Sequence, residues 1–68
     1  MPNYCVNVVA QSKGEHEVHS LLCDHLPAPE HRYNLGYYFS CKEAVRAAKK
    51  IYPSADGCYY CCRECHKL

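Results

Sequence analysis

The sequence has few of the features on which common enzyme classes depend. It contains only three glycines, Gly14, Gly36 and Gly57, which excludes a glycine-rich loop that cradles a nucleotide phosphate. It shows no Ser-His-Asp set and no paired-carboxylate motif. We therefore expect a protein without catalytic activity.

An excess of charge of one sign is also missing. The formal net charge is +1, and no basic run is longer than the pair Lys49 and Lys50. A phosphate-binding surface normally needs clustered lysine and arginine side chains. The composition therefore gives no support for a nucleic-acid partner, and the basic face of any helix is interpreted as solvated surface.

Long hydrophobic runs do not occur. The first residues, MPNYCVNVVAQ, have neither a charged n-region nor a long apolar h-region, so we expect no signal peptide. No segment approaches the roughly 20 apolar residues of a membrane-spanning helix. If this is the whole chain, a cytoplasmic location is expected. In that reducing compartment a cysteine-dense pattern indicates metal binding rather than disulfides.

Cysteine is what the sequence has in abundance, with seven in 68 residues. A chain of this length makes one domain, predicted over 1–68, and buries only about 60% of its unfolded surface. Its core alone rarely supplies more than about 3–5 kcal/mol, so a metal, disulfides or a partner subunit usually stabilises such a fold. The cysteines are the candidates for that role.

The periodicity predicts an α+β fold. It has a small antiparallel sheet, made of an N-terminal hairpin and a third strand, with one helix and a C-terminal zinc knuckle. A turn at Ser12–Glu15 and a proline-containing loop at Leu26–Arg32 separate the strands. The predicted strands are Tyr4–Ala10, Glu15–Ser20 and Asn34–Phe39.

The helix has the clearest signals. Ser40 and Glu43 form a capping box, and Phe39 occupies the position of a hydrophobic staple. Pro53 should end the helix near Ile51 or Tyr52. A turn is predicted at Ser54–Gly57. The apolar face is predicted to hold Ala44, Val45, Ala48 and Ile51, and the basic face Lys42, Arg46, Lys49 and Lys50.

Two stretches carry the chemistry. The first is HSLLC, with His19 and Cys23 on either side of SLL. The tail then holds two overlapping C-x-x-C pairs, Cys58 with Cys61 and Cys62 with Cys65. Zinc prefers four tetrahedral Cys and His ligands, so the early pair and one late pair make a complete set. Adjacent side chains diverge, which argues against a site that uses both Cys61 and Cys62, but spacing alone does not choose the late pair.

The arrangement resembles the metal-binding domain of the Ada DNA-repair protein and its small bacterial relatives. The resemblance covers roughly the last fifty residues and rests on HSLLCDHLP, YYFSCKEAV and GCYYC. It implies a zinc ion held by His19, Cys23, Cys58 and Cys61. His19 stands where the Ada domain has its methyl-accepting cysteine. An imidazole bound to zinc is not a thiolate nucleophile, so methyl scavenging is not expected here.

The other cysteines and histidines have alternative interpretations. Cys5 is expected to be a small buried side chain. Cys41, in the first helical turn, is either buried beside the metal site or reactive. Cys62, Cys65 and His66 are alternative ligands, and Cys65 is a candidate disulfide partner of Cys41. His16, His25 and His31 are expected at the surface, and Tyr59 and Tyr60 over the metal site.

The function predicted from these features is a non-enzymatic module stabilised by one structural zinc ion that acts on a protein partner. Three alternatives follow from the same residues. They are a thiol-redox protein that uses C-x-x-C, a nucleic-acid-binding module by analogy with Ada, and a disulfide-stapled extracellular domain. Oligomeric state does not follow from the sequence.

Overall fold

A computed structural model describes residues 3–67 as a mixed sheet with one α-helix packed against it. The predicted α+β class is therefore confirmed. Residues 1, 2 and 68 of the predicted domain lie outside the described range. The strands are β1 Asn3–Asn7, β2 His16–Ser20, β3 Arg32–Tyr37 and β4 Ala55–Gly57, the helix α1 is Cys41–Lys49, and short 3-10 turns span Pro29–His31 and Arg63–Cys65.

The sheet has the strand order β3-β1-β2-β4. As predicted, β1 pairs antiparallel with both β2 and β3. Side chains alternate across a strand, so Tyr4 and Val6 lie on one face and Cys5 on the other. Cys5 lies directly opposite His19 in the β1–β2 register. This pairing puts His19 on the sheet face opposite Tyr4 and Val6.

Two strands end earlier than predicted. β1 stops at Asn7, whose side-chain oxygen accepts the backbone N–H of Val9 at 2.9 Å, a local turn that ends the ladder. β3 begins at Arg32 rather than Asn34 and stops at Tyr37. Its register against β1 shifts between Tyr4 and Cys5, and Gly36 next to this bulge has φ of 101°.

The helix begins as predicted, with Ser40 as N-cap accepting the backbone N–H of Glu43. The predicted staple is wrong, because the side chain of Phe39 is 77% exposed. The helix ends at Lys49. The N–H of Tyr52 still donates to the carbonyl of Ala48 at 2.8 Å, so one helix-type hydrogen bond extends to the predicted end near Ile51 or Tyr52. Ile51 is consequently outside the buried face that Ala44, Val45 and Ala48 form.

The segment predicted as a turn at Ser54–Gly57 is mostly a strand, so that prediction is wrong. Ala55–Gly57 pairs in parallel with β2 and makes the sheet mixed. A three-residue strand that contains Asp56 and Gly57 has little β-propensity, and its partner forms it rather than its own sequence. All three of its residues are buried.

The core lies between the first sheet face and the helix. Tyr4, Val6 and Val18 contribute from the sheet, and the helix adds Ala44 and Ala48. The cluster continues into the tail through Cys58, Cys62 and Cys65. None of the helices among residues 3–67 combines the length and the apolarity needed to traverse a bilayer.

Candidate metal centre

Two neighbouring strands position the first three residues of the candidate site. His19 lies in β2. Cys23 follows in a turn, where its backbone N–H donates to the carbonyl of Ser20 at 3.0 Å. The parallel register pairs Gly57 with Val18, and the Cys58 N–H donates to the Val18 carbonyl at 2.9 Å. The unpredicted strand β4 therefore delivers Cys58 to the side of His19.

A tight turn positions the fourth residue. The N–H of Cys62 donates to the carbonyl of Cys58 at 2.9 Å, and this bond closes the C-x-x-C turn. The turn brings the sulfur of Cys61 back toward that of Cys58. The backbone of the C-x-x-C segment is thus fixed by its own hydrogen bond and by the sheet that precedes it.

The structure brings together the four residues predicted as zinc ligands. One potential ligand atom from each of His19, Cys23, Cys58 and Cys61 lies within 4.8 Å of all the others. The Sγ atoms of Cys23 and Cys58 are 3.8 Å apart. Sulfurs at two corners of a tetrahedron around zinc, with bonds of about 2.3 Å, lie about 3.8 Å apart. The cluster is therefore already near the dimensions of a tetrahedral site.

Each of the three sulfurs accepts a hydrogen bond from a backbone N–H. The donors are the N–H groups of His25 to Cys23, Tyr60 to Cys58 and Ser20 to Cys61, each at 3.3 Å. Hydrogen bonds of this kind stabilise a thiolate relative to a thiol. The backbone around the cluster therefore suits negatively charged sulfurs.

The imidazole of His19 is 2% exposed, and its Nδ1 has no hydrogen-bond partner among residues 3–67. Its Nε2 lies 3.7 Å from Oε1 of Glu17. A buried polar atom without a partner carries a desolvation cost of about 1–3 kcal/mol. A metal ion on Nδ1 would remove that cost.

Burial controls the electrostatics of the unliganded groups. It raises the pKa of the Cys58 and Cys61 thiols and lowers the pKa of His19. Buried thiols and imidazole therefore favour their neutral forms when no cation is near. A bound divalent cation reverses this preference for sulfur, because a coordinating thiol loses its proton.

The aromatic side chains around the cluster differ from expectation. Tyr59 and Tyr60 are 43% and 64% exposed, so neither is buried over the site. Tyr60 stacks on His25 with ring centroids 3.7 Å apart, and the Arg63 guanidinium lies 4.5 Å from the centroid of the Tyr59 ring. These contacts order the C-x-x-C turn from its outer side.

Of the alternative ligands, Cys62 lies beside the cluster, with its Sγ 3.9 Å from that of Cys61, so the expectation that these adjacent side chains diverge is wrong. Cys65 and His66 make other contacts. Cys62 and Cys65 are buried in the core, and the Cys65 sulfur contacts that of Cys41 at 2.9 Å. Nδ1 of His66 lies 3.0 Å from the carbonyl oxygen of Gly57. Cys41 is buried as one interpretation held, and burial raises the pKa of its thiol. Cys5, 1% exposed, is buried as predicted.

Two of the remaining histidines are exposed, and the third is half-buried. His25 and His31 are exposed, as predicted. His16 is half-buried, because its ring stacks on Tyr52 at 3.9 Å and its Nδ1 lies 2.9 Å from the carbonyl oxygen of Asn7. The prediction for His16 is therefore wrong.

Sequence reasoning missed two groups that support the site. Glu17 shares a sheet face with His19, a relation that period-2 alternation in β2 would have shown. The carboxylate of Asp56 accepts the backbone N–H of Lys67 at 2.9 and 3.1 Å and lies 3.3 Å from Nδ1 of His66. Asp56 thereby anchors the end of the tail to β4, and no local sequence signal indicated this.

Fold and site together define a small α+β protein with a four-residue Cys and His cluster able to hold a metal ion. No family model, curated protein or solved structure matches the chain. The resemblance to the Ada domain accordingly stays a hypothesis drawn from the sequence.

Proposed function

We propose that this protein is a non-enzymatic module that one structural zinc ion stabilises, and that it acts by binding a protein partner. The observation that carries the proposal is the convergence of His19, Cys23, Cys58 and Cys61 within 4.8 Å. The resemblance to the Ada metal-binding domain supports the same ligand set.

The donor chemistry favours zinc. Three thiolates and one imidazole are soft and borderline ligands, which suit Zn²⁺ and not Mg²⁺ or Ca²⁺. The 3.8 Å separation of the Cys23 and Cys58 sulfurs agrees with tetrahedral geometry. Nδ1 of His19 is the nitrogen left for the ion, because Nε2 faces the carboxylate of Glu17. At 3.7 Å the carboxylate acts on the imidazole through its charge, because the distance is longer than a hydrogen bond.

The site supports a structural rather than a catalytic role for the ion. Four protein ligands complete the coordination sphere and leave no position for water or substrate. The cluster joins β2 to the C-terminal tail. Structural zinc contributes about 10–16 kcal/mol of apparent binding free energy, more than a core of this size supplies.

Exposed apolar side chains support a protein partner. Leu22, Tyr37 and Phe39 are 88%, 69% and 77% exposed. Tyr37 and Phe39 are only two residues apart, and a contiguous exposed apolar patch marks a protein interaction site. The formal net charge of +1 gives no corresponding support for binding to nucleic acid.

Neighbouring cysteines provide a matched test of the ligand set. Cys61→Ser removes a proposed ligand, whereas Cys62→Ser changes the adjacent buried thiol. We expect the first variant to lose zinc to a chromophoric chelator at least a hundredfold more readily than the wild type, and the second to stay within a fewfold of it. Equal zinc retention in the two variants, or preferential loss in Cys62→Ser, would refute the proposed site.

A further inference from the structure

A second pair of thiols lies outside the candidate metal centre. Cys41 is the first residue of α1, and Cys65 is the last residue of the second 3-10 turn. Their Sγ atoms are 2.9 Å apart, and each residue is 7% exposed. This separation is shorter than the roughly 3.8 Å between two sulfurs on one zinc ion. The pair is in direct contact and is placed for bonding to itself rather than to a metal.

A cavity in the surface gives access to this pair. Its volume is about 290 Å³, and Cys65 forms part of its wall. Cys65 lines the cavity, and Cys41 does not. A reagent of small-peptide size would therefore meet Cys65 first, and Cys41 would be the thiol that reacts second.

The cavity carries an excess of positive charge, which favours anionic reagents over cationic ones. Four cationic side chains line it, against the two carboxylates of Asp56 and Glu64. Asp56 already accepts the Lys67 N–H and lies 3.3 Å from His66 Nδ1, so the field of its carboxylate is partly compensated. The cationic residues are Lys42, Arg46, Lys49 and Lys67.

We propose that Cys65 and Cys41 are a redox-modifiable dithiol, which a small anionic disulfide of the glutathione type oxidises after entering this basic cavity. The proposal does not rest on metal binding, because neither thiol belongs to the four-residue cluster. In this proposal the basic face of α1 attracts the anionic disulfide, whereas a face that is only solvated would have no such role.

The reaction is a two-step thiol–disulfide exchange. The Cys65 thiol loses its proton to solvent, and its sulfur attacks one sulfur of the small disulfide. A mixed disulfide forms and one small thiolate leaves. Cys41 then loses its proton and attacks the Cys65 sulfur, which releases the second small thiolate. Two protein thiols are oxidised by two electrons in total, and the small disulfide is reduced to two thiols.

Trapping the intermediate tests the order of attack. The reduced protein, as purified and without chelator, is incubated with glutathione disulfide and analysed by intact mass and by peptide mapping. The wild type should lose two hydrogens in a Cys41–Cys65 bridge. Cys41→Ser should accumulate one glutathione on Cys65. Cys65→Ser should give neither product, and the control Cys5→Ser should behave like the wild type.

Other products would overturn this assignment. A bridge between Cys62 and Cys65, or between Cys58 and Cys61, would show that a C-x-x-C motif is the reactive pair. A Cys41→Ser variant that gains no adduct on Cys65 would show that the cavity does not lead to that sulfur.

Reagent charge tests the cavity. Glutathione disulfide is anionic and cystamine is cationic, so the first should react about tenfold faster, and added salt should reduce the difference. Arg46→Gln with Lys49→Gln should remove most of this preference. Lys13→Gln, in the hairpin turn away from the cavity, should retain it. Equal rates for both reagents in the wild type, or an equal loss of preference in the control, would refute the cavity as the route.

Discussion

The two groups of cysteines in this small fold share a peptide segment but differ in the groups that surround their sulfurs. Cys58 and Cys61 lie with His19 and Cys23, each sulfur receives a backbone N–H, and one inter-sulfur distance is 3.8 Å. The Cys65 sulfur contacts that of Cys41 at 2.9 Å among core side chains. The same C-x-x-C spacing therefore places a cysteine in a four-residue Cys and His cluster or in a thiol contact, according to its surroundings.

The strand β4 causes this difference. It pairs with β2 in parallel, so the residue after it reaches His19, and the turn that follows points Cys61 the same way. The chain then forms the 3-10 turn Arg63–Cys65 next to α1, which carries Cys65 into the core. The short strand β4 is therefore the reason that Cys58 and Cys61 join the cluster while Cys65 lies in the core.

Metal removal should give the largest effect and should separate the two groups. With all thiols reduced, a strong chelator should unfold the protein, because the lost binding free energy exceeds the stability of the core. With Cys41 and Cys65 bridged beforehand, we expect about 3 kcal/mol to be regained, since the bridge closes a loop across a sequence separation of 24 residues. Circular dichroism of both forms in chelator, without urea, measures the difference in residual structure.

If the bridged protein keeps no more structure in chelator than the reduced protein does, the Cys41–Cys65 bridge does not stabilise the native arrangement. If the reduced protein keeps its structure in chelator, the metal is not what stabilises the fold.

Gly57→Ala should damage both groups at once. A Cβ at this position would lie 2.6 Å from the carbonyl oxygen of Cys62 and 2.7 Å from Cβ of Cys65. These neighbours belong to the tail backbone and a short side chain, so the tail must shift, at a cost of about 3 kcal/mol. The thermal unfolding temperature and the retention of zinc against a chelator should both fall.

Gly14→Ala is the matched control for this substitution. A Cβ there meets no heavy atom within 4 Å, and only the strain at φ of 90° applies. We expect a loss of about 1–2 kcal/mol with unchanged zinc retention. If Gly14→Ala loses as much zinc as Gly57→Ala, the close packing at Gly57 is not what keeps the tail in position for metal binding.

Several of these relations could be predicted from the sequence. Ser40 with Glu43 marked the start of the helix, and the spacing of Ala44, Val45 and Ala48 marked its buried face, because both signals are local. HSLLC and the C-x-x-C pairs indicated a metal centre on residue chemistry alone, although only the resemblance to Ada chose Cys58 and Cys61.

The missing parts depend on contacts between distant residues. β4 is a strand only because β2 offers it a partner, and Ala55–Gly57 carries no strand pattern of its own. The pairing of Cys41 with Cys65 requires the packing of α1 against the tail, so the sequence left it as one alternative among several. The stacking of His16 on Tyr52 joins the hairpin to the end of the helix for the same reason.

Glu17→Gln should have the smallest effect and should act on the metal centre alone. The carboxylate lies 3.7 Å from Nε2 of His19, behind the nitrogen proposed to bind zinc. Loss of a hydrogen-bonded partner lowers metal affinity about 10- to 100-fold, and because the Glu17 contact is longer than a hydrogen bond we expect a loss of about tenfold. Competition with a chelator should show this loss, while the rate of Cys41–Cys65 oxidation stays constant. Glu30→Gln, an exposed position in the first 3-10 turn, is the control and should change neither quantity. An unchanged affinity in Glu17→Gln would remove Glu17 from the site.

The most direct measurement is native mass spectrometry with metal analysis on protein purified under reducing conditions. We expect one zinc ion per chain, and gentle alkylation of the folded protein should leave the three cysteines of the cluster unmodified. A preparation that is free of metal, with every thiol reduced and a well-dispersed NMR spectrum, would contradict the claim that this ion stabilises the fold.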